Sequence, residues 1–194
     1  MKNNIFKLFT ITLLFYTPSI LPQNLEEMLN DPDIFVRREA LWTITNGNLK
    51  SYIPAIEKSM FKQSEPFMIY NYLKALHTLN ADSISKYCYE FIAMADSFKN
   101  MRPGEDPLKM KVRATFFLFD EEDYSTVQYV IDIVKRDRPD VNADALLLLG
   151  IMARKLPEYY DYARNELLFI AENSKDETSR FNATLYLRYS MDEP

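Results

Sequence analysis

His77 is the one histidine of the chain and Cys88 its one cysteine. The sequence therefore supplies a single imidazole base and a single thiol. A nucleophilic triad needs a Ser or Cys beside that base, and none stands in a nucleophile motif near His77. The histidine instead closes an expected helix over 65–78, where a partial positive charge is favourable. A zinc site needs more His and Cys ligands than these two. Cys88 lies on an apolar stripe and reads as a small buried hydrophobe, not the exposed thiol in positive surroundings that reactivity requires. The run Asp120-Glu121-Glu122-Asp123 lacks the alternating ligands and glycine turn of a calcium loop. It reads as dipole-complementing caps at the start of a helix. Gly47, Gly104 and Gly150 stand too far apart to cradle phosphates. Among 28 acids nothing singles out a pair for glycoside chemistry. Asn182-Ala183-Thr184 is a glycosylation sequon, but it falls inside an expected helix and reads as coincidence. The expectation is a chain with no catalytic residue, no metal and no cofactor.

The elements behind these residues are helical. Residues 25–44 read as the end of one helix, an Asp31-Pro32-Asp33 turn and the start of another. Of ten prolines, Pro32, Pro54, Pro66, Pro107, Pro139 and Pro157 fall at or near expected helix starts, where a missing N–H costs little. The caps predict a short helix over 24–30 and first helices near 33–45, 65–78, 107–119, 141–155 and 176–190. Their expected openers are Asp31 or Asp33, Ser64, Asp106, Asp140, and Ser174 or Asp176. Second helices are expected near 52–62, 82–98, 123–136 and 157–173. Ile84, Tyr87, Cys88, Phe91, Ile92 and Ala95 recur at helical spacing, as do Tyr124, Val127, Val130, Ile131 and Val134. Leu146–Ala153 is apolar nearly all round, as expected of a helix between two neighbours.

After the first turn, Val36, Arg37, Ala40 and Ile44 keep a spacing that resembles the HEAT-repeat family. Val112-Arg113, Val141–Ala145–Leu149 and Ser179-Arg180–Ala183–Leu187 echo it, and a further unit starts near Met68 with Tyr72 and Leu76 in register. On this reading valine and the later Ile or Leu face the core, alanine permits close helix approach, and arginine sits one position off the stripe with its stem on apolar surface. Asp33–Arg37 and Asp176–Arg180 are each spaced as helix ion pairs. The likeness is closest over 25–61, looser over 176–190 and weakest between, and its uneven spacing is similar to compact bacterial HEAT-like proteins. Ala145–Gly150 followed by Glu158–Ala163 resembles a tetratricopeptide repeat locally. However, Ala163 is one position off that register and no Trp-x-x-Leu-Gly-x-x-Tyr run occurs. Either resemblance implies an all-α fold, an α-solenoid of about four helix pairs plus terminal half repeats, acting as a protein-binding scaffold. The alternative it implies is an accessory subunit or lyase-type enzyme of HEAT-like fold.

Residues 1–23 differ in kind. Lys2 and Lys7 precede or flank an apolar run, Leu8–Tyr16, that Thr17-Pro18-Ser19 breaks, the order of a secretory signal peptide. The run is shorter than the ~20 residues a spanning helix needs. The expectation is a signal peptide over 1–23, a single domain over 24–194, and a periplasmic or extracellular protein without an integral membrane anchor after processing. Removing Lys2 and Lys7, with no acid, takes the formal net charge from −5 to −7. That argues against nucleic acid or anionic membrane as the main partner without choosing among the rest, and the protein or peptide partner is what the repeat resemblance implies. With one cysteine no intrachain disulfide forms, so stability rests on packing.

Each second helix carries a tyrosine outside its core stripe: Tyr52, Tyr89, Tyr129 and Tyr162. The HEAT resemblance implies that second helices line a concave side, where these four would form a binding ladder. Tyrosine offers a large rigid face and a hydroxyl at low entropic cost.

Overall fold

A computed structural model describes residues 24–191 apart from Asn100 and Asp140, so the signal-peptide expectation for 1–23 and the Asp140 cap lie outside the described residues. The chain is all-α: the described residues contain ten α-helices and no strand. They are α1 (Leu25–Met28), α2 (Ile34–Asn46), α3 (Ile53–Met60), α4 (Pro66–Thr78) and α5 (Ile84–Met94). Then follow α6 (Pro107–Asp120), α7 (Val127–Asp137), α8 (Ala143–Lys155), α9 (Tyr160–Asn173) and α10 (Glu177–Met191). None of the described helices is long and apolar enough to cross a membrane.

Local chemistry sets the helix starts. The side chains of Asn24, Asp33, Asp106 and Asn142 each accept a backbone N–H of the first turn, as good N-caps do. Helix α4 opens on Glu65, not on the expected Ser64, and without a side-chain cap. Pro66 at its first position has no N–H to satisfy, which removes part of the need.

Helix ends show a construction the sequence reading missed. Asn48, Asn80 and Glu122 have φ of 48°, 53° and 60°. In each case the next residue returns a backbone bond to the helix: Leu49 N–H to Ile44 at 2.9 Å, Ala81 to Leu76 at 3.0 Å, Asp123 to Leu118 at 2.8 Å. Helices α2, α4 and α6 thus end in the same left-handed cap, with the six-to-one bond of a Schellman motif. This overturns the placing of the acidic run at a helix start. Asp120 is the last residue of α6, Glu121 its C-cap, and α7 begins only at Val127.

The even-numbered helices pack in a row, α2 on α4, α4 on α6, α6 on α8 and α8 on α10. Each odd helix packs on the even helix that follows it, and the principal contacts all join helices one or two apart in the chain. The core forms two clusters that meet at α6, which sends Met110, Ala114, Phe117 and Leu118 into one and Val112 and Phe119 into the other.

Two stripes are rotated from expectation. In α2 the buried residues are Arg37, Ala40, Leu41 and Ile44, whereas Val36 is half-buried. The arginine sits on the stripe because its head finds partners there. Nη1 donates to the carbonyl oxygens of Asp31 at 2.7 Å and Pro32 at 2.9 Å, and Nη2 lies 3.5 Å from Glu65. The expected Asp33–Arg37 pair does not form, since the Asp33 carboxylate accepts from the Phe35 N–H. Arg180 likewise bonds the Ser174 carbonyl at 2.8 Å, while Asp176 accepts from Ser179. In α7, Ile133 joins Val130 and Val134 inside and Ile131 is half-buried.

Candidate functional site

His77 lies in the last turn of α4 and Asp120 ends α6, and the packing of those helices brings His77 Nε2 to 2.8 Å from Asp120 Oδ2. The imidazole also lies against Phe116 and Phe117, with ring centroids 6.3 and 4.9 Å away. Asp123, the other end of the acidic run, accepts a hydrogen bond from the Tyr89 hydroxyl at 2.5 Å. That bond, aided by the Ser125 contacts and against the opposing effect of burial, holds the Asp123 carboxyl below the usual carboxylate range. These partners relieve two carboxylates placed at the unfavourable end of the α6 dipole. No group of three or more His, Cys, Asp or Glu side chains able to hold a metal occurs among the described residues. Cys88 is fully buried, and burial, then the Glu121 charge, pushes its thiol up to about 12. It is inert in the folded state.

Concave surface lies elsewhere. A depression of about 530 Å³ opens between α6, α8 and α10, bordered by Asp120, Tyr124, Gly150, Arg154, Tyr186 and Tyr189. A second, of about 240 Å³, lies between α2 and α4, with Arg38, Trp42, Asn71 and Lys74 on its walls. The third, of about 230 Å³, lies between them and is walled by residues of α4, α6 and α8. It shares Lys74 and Thr78 with the second and Leu147 with the first. Neighbouring depressions share wall residues, so the three line up along the row of even helices as a segmented groove.

Each even helix contributes at helical spacing. Arg38, Trp42 and Thr45 do so from α2, Asn71, Lys74 and Thr78 from α4, Arg113 and Phe116 from α6, Leu147, Ile151 and Arg154 from α8. A groove-lining aromatic stands free at each end, Trp42 at 67% exposure and Tyr189 at 57%. Most of these residues belong to no sequence motif, and the one signal that marks them is Trp42, an aromatic opposite the α2 core stripe at Ala40 and Ile44.

Its charges are unevenly matched. Arg113 pairs with Glu105 at 2.7 Å and Asp144 at 3.5 Å, and Asp120 takes His77. Arg38, Lys74, Arg154 and Lys155 are exposed and form no ion pair with any described carboxylate.

None of the four expected tyrosines lines these three depressions. Tyr52 is half-buried against the first core cluster, and Tyr129 against both. Lys111 Nζ stands 5.4 Å from the Tyr129 ring. The Tyr162 hydroxyl is enclosed without a hydrogen-bond partner among the described residues. Burial first, then the nearby Glu166, pushes it up to about 12. Tyr89 is the most open of the four, at 41% exposure. Set against family models, curated proteins and solved structures, the chain matches none.

Proposed function

We propose that this chain is an exported, non-enzymatic helical-repeat scaffold that holds a protein or peptide in extended form along the even helices. The observation that carries the reading is the succession of depressions along the even helices, each helix contributing polar together with apolar or aromatic side chains. A catalytic cleft converges on one point, whereas this lining repeats along a row, which suits recognition of a chain. Support for a repeat comes from the bonding of Arg37 and Arg180 to the carbonyl six residues before each. The matched left-handed ends of α2, α4 and α6 support it as well. Export rests on the order of basic, apolar and helix-breaking residues in 1–23.

A second surface is favoured by the exposure of Tyr89. On that reading Tyr52, Tyr89, Tyr129 and Tyr162 form the partner face of the odd helices.

One experiment separates the two. Affinity capture from the envelope fraction is run with the parent, with Trp42→Ser/Tyr189→Ser, and with Tyr89→Ala/Tyr129→Ala. Loss of the captured protein with the first variant alone, at parental helicity, supports the groove. Loss with the second alone moves the site to the odd helices. Capture by neither parent nor variants counts against the scaffold.

A further inference from the structure

The lining of the groove speaks to the chemistry of its occupant, an inference that rests on the groove being the binding site. Five arginines and lysines border it (Arg38, Lys74, Arg113, Arg154 and Lys155) against three carboxylates, Asp120, Glu122 and Asp144. The whole chain has the opposite balance, with 28 acids to 23 bases. Pairing sharpens the contrast. Two of the three carboxylates are engaged, Asp120 by His77 and Asp144 by Arg113, while four of the five cations have no partner among the described carboxylates. Cations without a described carboxylate partner, collected along one line of an acidic protein, are complementary to negative charge, and such complementarity sets partner choice. The overall net charge does not cancel this, because charges more than about 8–10 Å away are screened at physiological salt.

Between the two cationic ends the walls are apolar and aromatic, with Phe116, Phe117 and Leu147, while Trp42 stands at one end and Tyr186 with Tyr189 at the other. Five helices at about 8–10 Å spacing span roughly 30–40 Å. An extended chain rises about 3.3 Å per residue, so about ten to twelve residues fill that length.

We infer that the groove takes an acidic peptide in extended form, its Asp or Glu side chains meeting Arg38 and Lys74 at one end and Arg154 and Lys155 at the other, with apolar or aromatic side chains between. A single-stranded nucleic acid shares the features of negative charge and stacking faces. It is disfavoured because it carries charge at every nucleotide and would press phosphates onto Asp120, Glu122 and Asp144. A peptide places its carboxylates only where they are wanted.

The chain carries its own reporter, since Trp42 is the one tryptophan and lies in the groove. Random twelve-residue peptides displayed on phage are selected against the full chain. Enriched peptides are then synthesised and titrated while Trp42 emission is followed. The expected result is enrichment of Asp and Glu interspersed with aromatic or aliphatic residues, with a shift in Trp42 emission on binding. Affinity should fall about tenfold or more in Lys74→Glu/Lys155→Glu at parental helicity, and fall again with added salt. Enriched peptides that are neutral or basic, or that bind the charge-reversed variant as well as the parent, overturn the acidic assignment and leave the groove standing. Failure to enrich any peptide overturns both, and a shift of Trp42 emission by a twelve-nucleotide oligothymidylate would then redirect the site to nucleic acid.

Discussion

Arg37 and Arg180, near opposite ends of the chain, make the same bond: each sends Nη1 to the carbonyl oxygen six residues before it, Asp31 at 2.7 Å and Ser174 at 2.8 Å. The turns they brace also match. The Asp33 N–H is held by the Asp31 side chain at 2.8 Å and the Asp176 N–H by the Ser174 hydroxyl at 3.2 Å. A guanidinium tied to the loop before its own helix fixes the angle at which the chain enters that helix, and hence where the helix lies in the row.

The two arginines differ in burial, and so in the expected cost of removal. The Arg37 side chain is 8% exposed and that of Arg180 37%. Arg37→Ala loses two charge-assisted hydrogen bonds and packed stem, for about 2–4 kcal/mol. Arg180→Ala acts in a solvated setting and is expected to cost under about 1 kcal/mol. Urea midpoints of the two variants check the order, and equal losses would mean that burial of the head is not what sets the contribution.

Alkaline pH should weaken the fold through buried acids. Tyr72 is fully buried on α4 and its hydroxyl donates to the Leu29 carbonyl. Burial pushes that hydroxyl from 10.0 up to about 12. A folded pKa above the unfolded one means the folded state holds the proton more tightly. Its stabilising effect is therefore complete below pH 10 and is lost as pH rises through 12. Cys88, raised by burial and Glu121 to about 12 from 9.0, adds a loss that starts about one unit lower. Stability is expected to hold to pH 8 and then decline, and Tyr72→Phe should flatten the decline above pH 10 although its stability at neutral pH is lower. Urea midpoints from pH 7 to 11.5 measure this. Folded Cys88 should meanwhile resist disulfide reagents at pH 8.

Features governed by neighbouring residues were legible in the sequence, and features set by contact between distant segments were not. Asp33 and Asp106 were expected openers and cap their helices, because an N-cap acts within its own first turn. The Ala40–Ile44 stripe was legible from its period, yet the period alone left α2 rotated by one residue, since an arginine with two carbonyl partners enters the buried face as readily as valine. The acidic run was misplaced because Glu122 holds a backbone conformation that glutamate does not advertise, while Asn48 and Asn80 occupy the same slot with a residue known for it. The groove was hidden for another reason. Helical spacing identifies Trp42 and Tyr89 as off the core stripe, but only the packing of α4 on α2 and α10 on α8 decides which flank is concave.

The same slot yields a stabilising change. Glu122 is exposed with φ of 60°, where ordinary side chains crowd the following carbonyl and asparagine is tolerated. Glu122→Asn should raise stability by about 0.5–1 kcal/mol, and Asn80→Ala should lower it by about as much. Thermal unfolding of both variants is the check. An unchanged midpoint for Glu122→Asn would show that the α6 end does not store this strain.

The wide end of the groove depends on a glycine. A Cβ added at Gly150 of α8 would lie 3.1 Å from both Cβ and Cγ of Tyr186 on α10 and 3.3 Å from its Cδ1. In an open helix Gly→Ala gains about 1 kcal/mol. Here the methyl group has to move α10, and overpacking of this kind costs about 1–3 kcal/mol. The two effects oppose, and the contact with the Tyr186 Cβ, which no rotation of the ring relieves, decides the sign. Gly150→Ala should therefore destabilise the chain by about 1 kcal/mol. In a Tyr186→Ala background the ring contacts are gone while the Cβ contact stays, so relief is partial, with a coupling of about 0.5–2 kcal/mol in a double-mutant cycle. Additive losses would show that α10 does not rest on Gly150. The cycle also bears on binding, because Gly150 and Tyr186 both border the depression of about 530 Å³. If α10 moves, peptide affinity at that end should change in Gly150→Ala while the Trp42 end is unaffected.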